Sequence, residues 1–365
     1  MTVRTTRPLL ALSLVFLLAQ ASGHASDWDD VLAMGEGDPG EQHYRDITDE
    51  LRGRPARDLM HDPVSRRFLR KHPVFVSLTT SPDRIDKVVH VLDTLDLTHV
   101  DRVFLVLPER FGRTGRRYSI PRALRDHPKV DIIRIDPDLG PISKMLPAIE
   151  RAARIDRKAI VISIDDDIGY PRGMIPEMIY HMARSRRTVV AGSAPGIDRF
   201  GIDPARWKFR RDREGRIVEG WAGIAYRAGN VDTDLLRRLS ALDKHTFASD
   251  DLVISYVLAA TGVKKRAVQN EYFDRRHVRH FPHGMGQDAL HRGAGVSSPS
   301  PRGHDVTAAK YGRSLEALNQ HHHPERGAAA RLGRVLRTHG RAVPRGMDLR
   351  HRARARRASI VRRRR

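Results

Sequence analysis

The chain has 365 residues, 40% of them hydrophobic, which is enough for one large core with appendages. It has no cysteine, which excludes a disulfide framework, a thiolate metal site and a cysteine nucleophile. The formal net charge of +22 points to anionic partners, but residues 324–365 alone hold fifteen arginines against Glu325 and Asp348, a net +13 that leaves +9 for the rest.

At the N-terminus, Arg4 and Arg7 precede an apolar run at residues 9–19 (LLALSLVFLLA), and small residues follow as far as Ala25. At 11 residues the run is shorter than the roughly 20 that span a bilayer. Residues 1–25 therefore read as a cleaved signal peptide or a short membrane anchor, which places the protein in the secretory pathway or at a membrane. Residues 26–71 are polar, with scattered Gly and Pro, and read as a stem or loosely packed lead-in with a helical turn near residues 63–69.

The organised domain is expected over residues 72–290. Residues 74–78 (VFVSL) form a buried strand that ends in a Thr-Thr-Ser-Pro loop. Apolar residues at helical spacing follow over 85–95, then strands at 103–107 and 132–135, a helix at 143–153, and a strand at 159–164. That last strand runs directly into Asp165-Asp166-Asp167. A helix is expected at 174–184, a strand at 188–191, a Gly-containing strand at 221–226, helices at 235–242 and 250–260, and a last strand at 265–268. Strands alternating with helices predict an α/β/α sandwich of Rossmann type with a mostly parallel central sheet. Ligands collect at the carboxyl ends of such strands, where the 79–84 loop and the Asp165–Asp167 cluster both fall. Residues 291–365 read as a His- and Arg-rich, largely disordered basic tail.

Three adjacent carboxylates repel one another, and a strand end tolerates them best beside a cation. Mg²⁺ and Mn²⁺ prefer such oxygen ligands and keep positions open for substrate phosphates. Alternate residues of extended chain share a face, so Asp165 and Asp167 pair as ligands. The competing account is an acidic turn, solvated or capping the next helix.

From about residue 72 to 268 the chain resembles a GT-A nucleotide-sugar transferase, similar to exostosin-like and family 2 glycosyltransferases. The likeness rests on VSLTTSPDR at 76–84, LGPISK at 139–144, the Asp165–Asp167 cluster, the segment 221–227 and Asp250-Asp251, in that order. It implies a GT-A-like fold and a metal-dependent hexosyl- or N-acetylhexosaminyl-transferase. A nucleotide-sugar would be the donor, and a glycan or other hydroxyl the acceptor. Asp165 would face the ribose or the metal, Asp167 would hold the metal, and Asp166 would belong to the same donor site. Thr79, Asp83 and Arg84 are nominated for the nucleotide, although Ser81-Pro82-Asp83 is also an ordinary turn. Lys144, at an expected helix start, suits a phosphate or sugar hydroxyl; Ser143 is otherwise a plain N-cap. Asp251 is the expected base for the acceptor hydroxyl, with Asp250 as helix cap or second carboxylate. His283 is nominated as a further metal ligand, with His280 as second choice.

Two other readings compete. The basic tail could act alone on polyanions, through salt-sensitive contacts. The core, however, lacks the interleaved basic and aromatic surface of nucleic-acid modules, so no specific nucleic-acid partner is expected. Contact with a membrane or an anionic glycan is compatible with the enzyme reading. A metal-dependent phosphoryl-transfer enzyme could use the same acids, but it gives the 79–84 loop and the Gly-containing segment no role.

Overall fold

The computed structural model describes residues 40–51, 56–213, 215–268, 277–284 and 303–322. Its strands, in chain order, are β1 (Val74–Thr79), β2 (Arg102–Pro108), β3 (Val130–Ile135), β4 (Ile160–Ser163), β5 (Ile168–Gly169), β6 (Thr188–Ala191), β7 (Ile224–Arg227), β8 (Lys264–Ala267) and β9 (Arg279–His280). Seven of them form one sheet in the order β3-β2-β1-β4-β7-β6-β8, and β5 pairs with β9 in a small separate ribbon. Within the large sheet only β7 runs against its neighbours; the other pairings are parallel. The expected mostly parallel α/β sheet is thus the observed one.

The near-continuous apolar runs of the central strands have a direct cause. A parallel sheet flanked by helices is buried on both faces, so successive residues all become core. Val74, Val76 and Leu78 enter one core, while Phe75 between them enters the other with Phe104 and Val161.

The helices are α1 (Gly40–Leu51), α2 (Arg57–His61), α3 (Pro63–Leu69), α4 (Val88–Thr94), α5 (Arg122–Arg125), α6 (Leu146–Ile155), α7 (Met174–Arg184), α8 (Thr233–Ser240), α9 (Lys244–Phe247), α10 (Asp250–Thr261) and α11 (Gly303–His321). Residues of α1 to α5 and α7 pack on one face of the sheet. Residues of α6, α8, α10 and α11 pack on the other. Among the described residues no helix is long and apolar enough to cross a membrane.

Two expectations are corrected. Part of the segment read as a lead-in is integral to the fold, because Tyr44, Ile47, Leu51, Met60 and Phe68 are core residues. The sequence masks this, since α1 buries one stripe beneath a strongly polar exposed face. The segment read as tail likewise contains a packed helix, α11. Tyr311, Leu315 and Leu318 of α11 are buried against Phe200 and the α10 side of the sheet. Residues 1–39 and 323–365, the expected signal and most of the tail, lie outside the described residues.

One feature of the topology positions the site. β1, β2 and β3 step outward in one direction, and β4 steps to the other side of β1. The carboxyl ends of β1 and β4 therefore flank the point where strand order reverses, which is where open α/β sheets hold ligands.

Candidate functional site

The loop after β1 and the acidic turn after β4 face each other across that crevice. The amide of Ile164 donates to the Ser77 carbonyl (3.0 Å), so β1 holds the chain up to the first aspartate. The amide of Asp165 then donates to the Tyr170 hydroxyl (3.0 Å) and the chain turns. Asp166 points into protein. Thr80 Oγ1 donates to its Oδ2 (2.6 Å), and Arg84 Nη1 donates to its Oδ1 (3.3 Å). The same Arg84 nitrogen lies 3.2 Å from Asp167 Oδ2. Burial and the neighbouring Asp167 charge push the Asp166 carboxyl up to about 6, against the pull of Arg84 and Thr80. Burial and the Asp165 charge raise Asp167 as well. Of the three carboxylates of the turn, Asp166 and Asp167 share the single guanidinium of Arg84.

Lys144 provides the second cation. Residues 140–144 form a 3-10 turn, and α6 starts only at Leu146, with Pro147 in its first turn. Lys144 is thus on the turn rather than at the expected helix start, and Ser143 makes no capping bond. Lys144 is buried, yet its Nζ lies 2.6 Å from Asp165 Oδ1 and 2.9 Å from Asp250 Oδ2. Burial disfavours its charge, but Asp165, Asp250 and Asp251 outweigh that and hold its pKa well above a free lysine's.

Asp250 and Asp251 open α10, where the helix dipole favours acids. Asp250 does not cap that helix: Ser249 occupies the cap position, and Asp250 pairs with Lys144. Burial pushes Asp250 up, but Lys144 more than reverses it and leaves it below the ordinary carboxylate range. Asp251 Oδ1 accepts from the Gly220 amide (2.9 Å). Burial, and then the Asp250 charge, raise Asp251 well above an ordinary aspartate. One acid of the pair is held ionised and its neighbour is pushed toward holding a proton. Gly220 leaves room for this arrangement: a Cβ at this position would sit 2.5 Å from Lys144 Nζ and 3.2 Å from Asp251 Oδ1 and would push the ammonium from its place.

The fold brings Arg84, Lys144, Asp165, Asp166, Asp167, Asp250 and Asp251 together, but not the other nominated residues. Thr79 spends its hydroxyl on the Val106 carbonyl of β2 (2.8 Å). Asp83 is exposed and pairs with Arg116 on the surface. His283 lies next to the acidic turn without presenting a nitrogen to it as a ligand. Its Nε2 donates to the Asp166 carbonyl (2.9 Å), and its Nδ1 accepts from the Tyr44 hydroxyl (3.2 Å). Burial lowers its pKa and keeps the ring in the neutral form those two bonds need. In this geometry His283 braces the turn. His280 pairs with Ile168 through β9. Thr80, Tyr170, Tyr44 and Gly220 were not nominated from the sequence; Thr80 lies inside the quoted 76–84 motif and Gly220 adjoins the 221–227 segment, but no spacing rule marks them.

A divalent cation fits the acidic turn in a restricted way. Among the described residues no three His, Asp or Glu side chains are arranged to hold a metal by themselves. Both oxygens of Asp166 are engaged, whereas Asp165 Oδ2 and Asp167 Oδ1 have no protein partner among the described residues. Two carboxylate oxygens, completed by substrate phosphates and water, are a set that Mg²⁺ or Mn²⁺ takes. Three adjacent carboxylates beside one arginine and a lysine that is shared with Asp250 favour such an ion. Arg84 Nη2 is also buried with no acceptor among the described residues, as suits a site that receives an anion.

No protein-family model matches the chain, and no curated protein matches its sequence. Among solved structures the chain is similar to one described as the crystal structure of GalNAc-T7 with UDP, GalNAc and Mn²⁺. The match has a TM-score of 0.36 and 12% sequence identity, and it covers 57% of this chain and 44% of that one.

Proposed function

We propose that the chain is a GT-A-like glycosyltransferase that moves a hexosyl or N-acetylhexosaminyl group from a nucleotide-sugar to a glycan or other hydroxyl. The supporting observation is the joining, at the strand-order reversal, of an acidic turn to an acid pair by one buried lysine. Asp165 and Asp167 would hold Mn²⁺ or Mg²⁺, which when bound supplies positive charge for the donor's diphosphate. Arg84 fixes the turn through Asp166 and Asp167 and keeps one guanidinium nitrogen for an incoming anion. Lys144 holds Asp165 and Asp250 in a common frame. Asp251 is the acceptor-side acid: it stands beside the Lys144-paired Asp250 at the start of α10 with its Oδ1 held by the Gly220 amide, and in its ionised form it would take the acceptor hydroxyl proton. The apolar run within residues 1–25 supports a secretory or membrane-associated location.

The test is thermal unfolding of the full chain with a panel of nucleoside diphosphates, with and without Mn²⁺. A ligand at a hundredfold excess over its Kd adds about 2.7 kcal/mol, a midpoint rise on the order of 5 °C for a domain of this size. The rise is expected for one base, only with Mn²⁺, and is lost in Asp167→Ala. No shift with any nucleotide in a folded protein would sink the donor-site assignment.

A further inference from the structure

Lys144 does more here than neutralise one partner. Its single ammonium group is shared between Asp165, on the turn assigned to the donor side, and Asp250, on the helix assigned to the acceptor side. Gly220 lies against Nζ, where a Cβ would stand 2.5 Å from it and would have to displace it, and the lysine is only 7% exposed. The ammonium is therefore buried with two carboxylates within ion-pair reach, one on each side of the site. Asp165 is the more exposed of its two partners, with 26% of its side chain accessible against 12% for Asp250. Asp165 Oδ2 also has no protein partner among the described residues, so a second cation can approach it without first removing Lys144.

We propose that Lys144 is an exchangeable counter-ion. It holds Asp165 when the donor side is empty and yields toward Asp250 and Asp251 when a divalent cation claims Asp165. This rests on the donor-site reading above and adds that loading the donor side changes the charge around the acceptor-side acids. Lys144 is thus a positioning residue that couples two halves of the site. The physical basis is repulsion between like charges: a divalent cation on Asp165 Oδ2 would stand across one carboxylate from the ammonium on Oδ1, and the lysine has an alternative partner already within 2.9 Å.

The experiment is a double-mutant cycle on Mn²⁺ affinity, measured by titration calorimetry on the full chain without nucleotide. Lys144→Met should tighten Mn²⁺ binding on the order of tenfold, as expected for removal of a direct competitor. Asp250→Asn removes the lysine's alternative partner and should weaken Mn²⁺ binding several-fold, although Asp250 is not a ligand. The decisive prediction is that this second effect disappears in the Lys144→Met background. An Asp250→Asn effect that persists undiminished there would be ordinary field electrostatics and would overturn the exchange. Unchanged affinity in Lys144→Met would also overturn it, while leaving the donor site intact. Absence of Mn²⁺ binding in the wild-type chain would remove the donor-site reading and the exchange together. Far-ultraviolet circular dichroism on each variant identifies any that fails to fold. Lys144→Gln, which keeps a polar side chain but no charge, then replaces Lys144→Met and should reproduce its sign.

Discussion

Lys265 offers a direct physical test of the packing around α10. Its side chain is 1% exposed, with Nζ 2.5 Å from Asp212 Oδ2. Nζ also donates to the Ser255 carbonyl (3.1 Å) and lies 4.8 Å over the Trp207 ring. Burial pulls its pKa from 10.5 down to about 8, although Asp212 opposes the shift. The sign follows from linkage. Below pH 8 the lysine is charged in both folded and unfolded chains, and the folded state carries the whole cost of burying that charge. Between about pH 8 and 10.5 the folded chain has released its proton while the unfolded chain still holds it, so stability rises with pH. The difference between 10.5 and about 8, at 1.36 kcal/mol per unit, is about 3 kcal/mol. The reference is Lys265→Met combined with Asp212→Asn, which removes the pair without stranding a buried charge. Urea unfolding of both proteins from pH 7 to 10.5 isolates the lysine, because tyrosines and other alkaline groups titrate alike in each. Wild type should gain on the double variant by about 3 kcal/mol across that window. Parallel stability curves would show that Lys265 is either hydrated or not charged at neutral pH, and the packing argument would fail.

Two further outcomes are expected. Asp251→Asn keeps an acceptor for the Gly220 amide, so nucleotide affinity by calorimetry should change less than twofold, while transfer to acceptor falls by at least a hundredfold, within the range for loss of a general base. A large loss of nucleotide affinity would place Asp251 on the donor side. Deleting residues 1–71 removes Tyr44, Ile47, Leu51, Met60 and Phe68 from the core. At roughly 1.5–3 kcal/mol for each buried side chain, that loss rivals the 5–15 kcal/mol or so that stabilises a typical domain. The truncated chain should therefore show no cooperative thermal transition; an unchanged midpoint would mean the helices are dispensable.

Local sequence determined much of the framework. The runs at 74–78, 103–107 and 159–164 could only be strands buried on both faces, because that is where unbroken stretches of Val, Ile, Leu and Phe are stable. The aspartates at 165–167 were legible because adjacent like charges after such a strand are costly and need a reason. Tertiary structure alone decided the charge partners. Lys144 and Asp165 are 21 residues apart, and Asp250 is far beyond both. They meet only because β4 crosses to the other side of β1 while β7, which runs against its neighbours in the large sheet, brings the 220 segment and α10 back to the same edge. His283 read as a ligand from residue type, but the bonds its two nitrogens make depend on Tyr44, which comes from a helix near the other end of the chain. Hydrophobic periodicity is a property of neighbouring residues and survives in the sequence. Which buried charge faces which is set by strand order, and a linear sequence does not record it.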